Sequence, residues 1–180
     1  MFNIATLKTR SKRGAKDEQG VAAVEFGLIA TPLFFLIFGL LELCMVFLFS
    51  AMLEHGTNEA ARLVRTGQVQ SANFDKDAFK TAVCDELYEL FDCEGKLHVD
   101  VQSVSKFASA NSLDPLDMDG NVDTDVFTFQ PGGAGDIILV RAFYEWDLVT
   151  PILSLPLSNM NGQKRLVVAT EALRNEPFGD

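Results

Sequence analysis

The feature that most constrains this chain is an apolar run from Val21 to Leu53 whose only charges are Glu25 and Glu42. A helix needs about 20 apolar residues to cross a bilayer, so this run can span one and continue beyond it. With 180 residues, the rest of the chain is enough for one further domain but not comfortably for two. The expected organisation is a membrane-anchored protein with one water-soluble domain.

Charge is distributed unevenly about the run. Residues 1–20 hold Lys8, Arg10, Lys12, Arg13 and Lys16 against Asp17 and Glu18. Residues 21–180 hold 10 basic and 23 acidic side chains. An acidic domain repels phosphate, which sets nucleic-acid binding aside. Basic flanks stay cytoplasmic, and the far flank offers only Arg62 and Arg65 nearby. The N-terminus is therefore expected inside the cell and the C-terminal domain outside the cytoplasm. A cleaved secretory signal fits poorly, because its apolar core would be 7–15 residues long and the candidate site Phe49-Ser50-Ala51 is weak. A plain uncleaved anchor would leave Glu25 without a reason, since a carboxylate in an apolar segment is costly.

The residues around Glu25 carry a resemblance. A basic leader ends in Gly20, an apolar helix starts at Val21, and a glutamate stands fifth after the glycine. This resembles a type IV prepilin. The strings Ala22-Ala23-Val24-Glu25-Phe26, Ile37-Phe38-Gly39-Leu40-Leu41-Glu42-Leu43 and Glu59-Ala60-Ala61-Arg62, with the ending Arg174-Asn175-Glu176-Pro177-Phe178, resemble the TadE-like (TadE/TadG) pseudopilins of tight-adherence (Tad) pili. The resemblance implies that a prepilin peptidase cuts between Gly20 and Val21. It further implies that Glu25 meets the new Val21 amine of a neighbouring subunit and sets axial register. The two charges are costly alone and tolerable together. Partners implied are the peptidase, other pilins and pseudopilins, and an inner-membrane pilus platform, with membrane lipid around the helix. Adhesion and biofilm formation would be the wider role. Residues 68–125 carry little of the resemblance.

The helix is expected from Val21 to Thr66 with Gly67 closing it, transmembrane over about 21–50. Pro32 removes one backbone bond and loosens or kinks it. Gly39 allows close approach of another helix one turn before Glu42, and the pair reads as a contact to a partner subunit. The expected division is a leader over 1–20, a long helix over 21–67 and a periplasmic α+β domain over 68–180.

In that domain, residues 73–91 show a helical stripe of Phe79, Ala82, Val83, Leu87, Leu90 and Phe91, with Asn73 or Asp75 as cap. LHVDVQSV (97–104), VFTF (126–129), DIILVRAFYEW (136–146) and RLVVATEAL (165–173) read as strands. The expected architecture is an antiparallel sheet of three or four strands packed on helices. Cys84 and Cys93 would meet an oxidising compartment, where a disulfide is expected; two half-buried thiols are the alternative. Cys44 reads as a small apolar residue.

Five aspartates crowd residues 114–125, making Asp117, Asp119 and Asp123 candidate calcium ligands. The spacing departs from the EF-hand pattern, and a solvated acidic loop is the simpler reading. His55 and His98 share no zinc spacing with the cysteines. The Pro131-Gly132-Gly133-Ala134-Gly135-Asp136 stretch is a turn, not a phosphate loop. No catalytic residue, metal or cofactor is assigned. The rival to a pseudopilin is a permanently anchored periplasmic binding module that keeps its leader. A tethered hydrolase is a remote third reading.

Overall fold

The computed structural model describes residues 18–87, 91–106, 113–150 and 156–179, with side chains from Gly20 onward. Its contacts divide the chain into two units, Met1–Leu41 and Glu42–Asp180. Helix α1 (Glu18–Arg65) begins in the first unit and ends in the second.

In the first unit, the apolar side chains of α1 are exposed all round, from Val21 through Phe26, Leu33 and Phe38 to Leu41. A helix apolar on every face has no water-facing side, so it is built for a surrounding that is itself apolar. The helix is long and apolar enough to cross a membrane, with a mean hydropathy of 2.5 in its most apolar stretch. It fits a single-pass anchor. Pro32 lies inside it and has no N–H for the carbonyl of Leu28. Next to it, the Thr31 hydroxyl donates to the Gly27 carbonyl at 2.8 Å.

In the second unit, α1 becomes one-sided. Val46, Leu53, Thr57, Ala60, Ala61 and Val64 are buried, a spacing that keeps to one helical stripe. Thr57 is tolerated in the core because its hydroxyl donates to the Leu53 carbonyl at 2.7 Å. The helix stops at Gly67, where φ is +76°. A four-residue turn of helix, α2 (Gln68–Ser71), leads to α3 (Lys76–Asp85). The Asp75 carboxylate caps α3 by accepting from the Ala78 N–H at 2.8 Å, whereas Asn73 takes a positive φ in the preceding turn. Helix α3 is shorter than its apolar stripe predicts. It ends at Asp85, Leu87 and Phe91 still reach the core, and Leu90 lies outside the described residues. The short α4 (Cys93–Lys96) then feeds the sheet.

The sheet has three antiparallel strands in the order β1 (Leu97–Val104), β2 (Ile137–Asp147), β3 (Lys164–Arg174). Register pairs Val99 with Ala142, Val101 with Val140, and Ala142 with Ala169. On one face Val99, Val101, Val140, Ala142, Val167 and Ala169 join Leu53, Val64, Phe79 and Val83 in the main core. Phe49 extends that core through rings stacked near Phe91 and Trp146. The opposite face is covered by a second cluster of Phe127, Phe143 and Leu166. Central strand β2 is therefore buried on both faces, which explains its nearly continuous apolar sequence.

One expected strand is absent. Residues 126–129 do not pair along β2. Thr124–Val126 form a 3-10 turn capped by the Asp123 carboxylate, and Phe129 makes a single parallel bridge to Val101. The cap starts a turn where strand periodicity alone predicts extension. Phe127 then enters the second cluster while Phe129 packs on the first.

Candidate functional site

Gly20, Val21 and Glu25 lie on α1 in the first unit, all exposed. Val21 and Glu25 are four residues apart and so share a helix face. Between Glu25 and Glu42 the helix carries no other charge.

Glu42 opens the second unit and is 7% exposed. Its Oε1 accepts from the Val149 N–H at 2.5 Å and its Oε2 from the Thr150 N–H at 2.9 Å. Both oxygens are taken inside the chain. The expectation of a partner contact at this side chain meets a different geometry: the loop after β2 supplies the donors. Sequence offered no signal for this, because backbone N–H groups have no residue identity. Gly39 lies three residues before Glu42 on the same helix and is buried.

The C-terminal end of α1 is held by the chain's own ending. The Glu176 N–H donates to the Arg65 carbonyl at 2.9 Å, and its carboxylate sits 3.4 Å from the Arg65 Nε. Asn175 is 3% exposed; its Nδ2 donates to the carbonyls of Pro131 and Gly133 at 3.0 and 2.9 Å. Gln70 Nε2 donates to the same Pro131 carbonyl at 2.8 Å. The Phe178 ring lies so close to Gly67 that an added Cβ would fall 2.4 Å from its Cγ. Gly67 thus serves twice, for its positive φ and for the ring's approach.

Cys84 and Cys93 are joined by a disulfide between α3 and the start of α4, with Cα atoms 6.1 Å apart. Cys44 is free and exposed. The Asp-rich loop is organised by its own backbone. Asp117 Oδ1 accepts from the N–H groups of Asp119 and Asn121, and Asp123 Oδ1 from that of Asp125. Asp119 adds no side-chain bond to that network. Among the described residues, no group of three His, Cys, Asp or Glu is placed to hold a metal ion.

Two polar pairs lie on the sheet face opposite the main core. Asp100, fully buried, accepts from Arg141 Nε at 3.0 Å and Nη2 at 2.7 Å, and from the Thr128 N–H at 2.8 Å. His98 Nε2 lies 3.3 Å from Glu145, which also binds Lys164 at 2.9 Å. Burial pushes the His98 imidazole below its ordinary value, and the Glu145 hydrogen bond only partly opposes this. A neutral imidazole donating to Glu145 fits both facts. Sequence reasoning missed the Asp100–Arg141 pair. Its signal was a single arginine inside the apolar run Ile137–Tyr144, where a cation must be paired.

The sequence model of the TadE-like protein family matches residues 20–62. That stretch opens at Gly20 and contains Glu25 and Glu42. Residues 20–62 are TadE-like. At the family level this is a Tad pilus-associated pseudopilin segment, and the family is structural and not enzymatic. The TadE-like segment covers about a quarter of the chain. Comparison with curated proteins and with solved structures gives no match.

Proposed function

We propose that this chain is a minor pilin or pseudopilin of a Tad-type pilus, cleaved after Gly20 by a prepilin peptidase. One coincidence carries the reading. The TadE-like match begins at Gly20, directly before a helix apolar on every face whose first charge is Glu25. Such a helix rests in lipid before assembly and against other helices afterwards, since both environments are apolar. In the first it is a single-pass inner-membrane anchor, with the N-terminus cytoplasmic and the domain of residues 68–180 periplasmic. The Cys84–Cys93 disulfide supports that side assignment, because thiols pair and persist outside the reducing cytosol. In the second, Glu25 meets the Val21 amine of a neighbour, with other pilins and the inner-membrane platform as partners. Pilus assembly and surface adhesion follow as the role.

N-terminal sequencing of membrane-extracted protein, with and without the peptidase, tests the proposal. A chain beginning Val-Ala-Ala-Val-Glu only when the peptidase is present is the expected result. A chain still beginning at Met1 in both strains would make the helix a static anchor and remove the proposal.

A further inference from the structure

Strand β3 is an edge, with β2 on one side only. Backbone groups along a strand alternate between its two sides. The Leu166 N–H donates to the Asn159 side chain at 2.7 Å, away from β2, so the even-numbered residues carry the outward groups. At one end, the outward Lys164 carbonyl accepts from the N–H groups of Asn159 and Met160. At the other, the outward Glu176 N–H is taken by the Arg65 carbonyl of α1. Between these stops, Val168, Thr170 and Ala172 present donors and acceptors with no strand beside them among the described residues. Their side chains are small or apolar and exposed, Val168 by 45%.

A groove accompanies this open edge. A cavity of about 230 Å³ is lined by Ala61, Arg62 and Arg65 of α1 and by Ala172 and Leu173 of β3. Arg62 and Arg65 have side chains 55% and 49% exposed. Their partners, Glu59 and Glu176, are exposed as well, at 3.2 and 3.4 Å. Surface pairs of this kind are weak and exchange readily.

We propose that a short, extended, acidic segment of a partner protein adds to β3 in the groove between β3 and α1. The backbone ladder supplies affinity and the guanidinium groups select a carboxylate, which Arg binds in a two-pronged geometry. The stops at Lys164 and Glu176 limit the added strand to about seven residues at strand spacing. A second copy of β3 is a poorer occupant. Two such edges meeting antiparallel about their middle would set Glu171 opposite Glu171, and like charges directly opposite are destabilising.

The test uses the full chain in lipid nanodiscs, titrated with the heptapeptide Thr-Val-Thr-Val-Thr-Val-Glu and with an amidated version ending in Lys. The acidic peptide is expected to slow amide hydrogen exchange at Val168, Thr170 and Ala172 by about tenfold or more, and to bind about tenfold more weakly to Arg62→Glu. Thr170→Pro removes an outward N–H without touching the β2 ladder, and is expected to abolish binding. An acidic peptide N-methylated at alternate amides, which cannot form the ladder, controls for any unfolding of that variant and is expected not to bind. Unchanged exchange with either peptide, or equal affinity for the lysine version, would overturn the proposal. Protection that grows with protein concentration without peptide would give the edge to a second copy and overturn it too. None of these readouts depends on cleavage after Gly20, so their failure leaves the pilin reading standing.

Discussion

Asp100 and Arg141 face each other across β1 and β2, and every oxygen of the carboxylate is used. Removing one member of a buried pair leaves the other charged and dry, which costs about 3–5 kcal/mol. Asp100→Ala is expected to lower unfolding stability by that amount in denaturant titrations of the full chain. Replacing both by apolar residues should restore much of it. His98 gives a pH-dependent counterpart. Its folded pKa lies below the unfolded value of about 6.5, so the unfolded chain takes the proton first as pH falls. Stability from this residue is therefore greatest above pH ~6.5 and declines as the pH drops toward the folded pKa. His98→Gln should flatten the melting temperature between about pH 7 and 5; an unchanged slope would place the acid sensitivity elsewhere. Of these residues, only the apolar frame was legible in sequence. A pairing across 41 positions has no local pattern, and the lone arginine in β2 said that a partner existed without naming it.

The elements themselves were legible where one force acted alone. Strands β1, β2 and β3 match the alternating or continuous apolar runs to within a residue at each end, because burial on one or two faces dictates those patterns. Residues 126–129 misled because a side-chain cap at Asp123 competes with strand formation. The ends of α1 show the same limit. Gly67 reads as a helix stop, yet its second duty toward Phe178 comes from residues more than a hundred positions away. Gly67→Ala is expected to cost about 1–3 kcal/mol from backbone strain alone, and to displace the Phe178 ring as well. Phe178→Ala should relieve only the second part, which a double-mutant cycle in thermal unfolding would separate. Glu42 makes a sharper case. Each charge-assisted bond to a backbone donor contributes about 1.5–3 kcal/mol, so Glu42→Ala should accelerate amide exchange at Val149 and Thr150 more than elsewhere in the domain. Uniform acceleration would mean that the carboxylate steadies the whole unit and not this loop.

At the scale of the whole molecule, the chain combines a helix suited to apolar surroundings with a small disulfide-bearing α+β unit. The first was legible from composition, since no water-soluble helix can be apolar on every face. The outward face of the second was not, because edge strands and grooves are set by which neighbours are missing. Glu25 is where the molecule's assembly has its clearest test. A carboxylate within the bilayer costs about 2.5 kcal/mol or more at its centre. Pairing it with the Val21 amine of a neighbour recovers part of that only when subunits are in register. Two variants should then fail at different stages. A Gly20 substitution that blocks cleavage prevents the amine from forming, so the leader stays attached and no subunit enters the filament. Glu25→Ala leaves the Gly20–Val21 junction intact, so the processed chain should accumulate in the membrane while its share in sheared filaments falls. Combining them should be no worse than the cleavage block alone, because both remove the same pair. N-terminal sequencing of membrane and filament fractions reads all three cases. Full incorporation of Glu25→Ala would mean that the helix finds its register by packing alone, with Glu25 having no part in the choice.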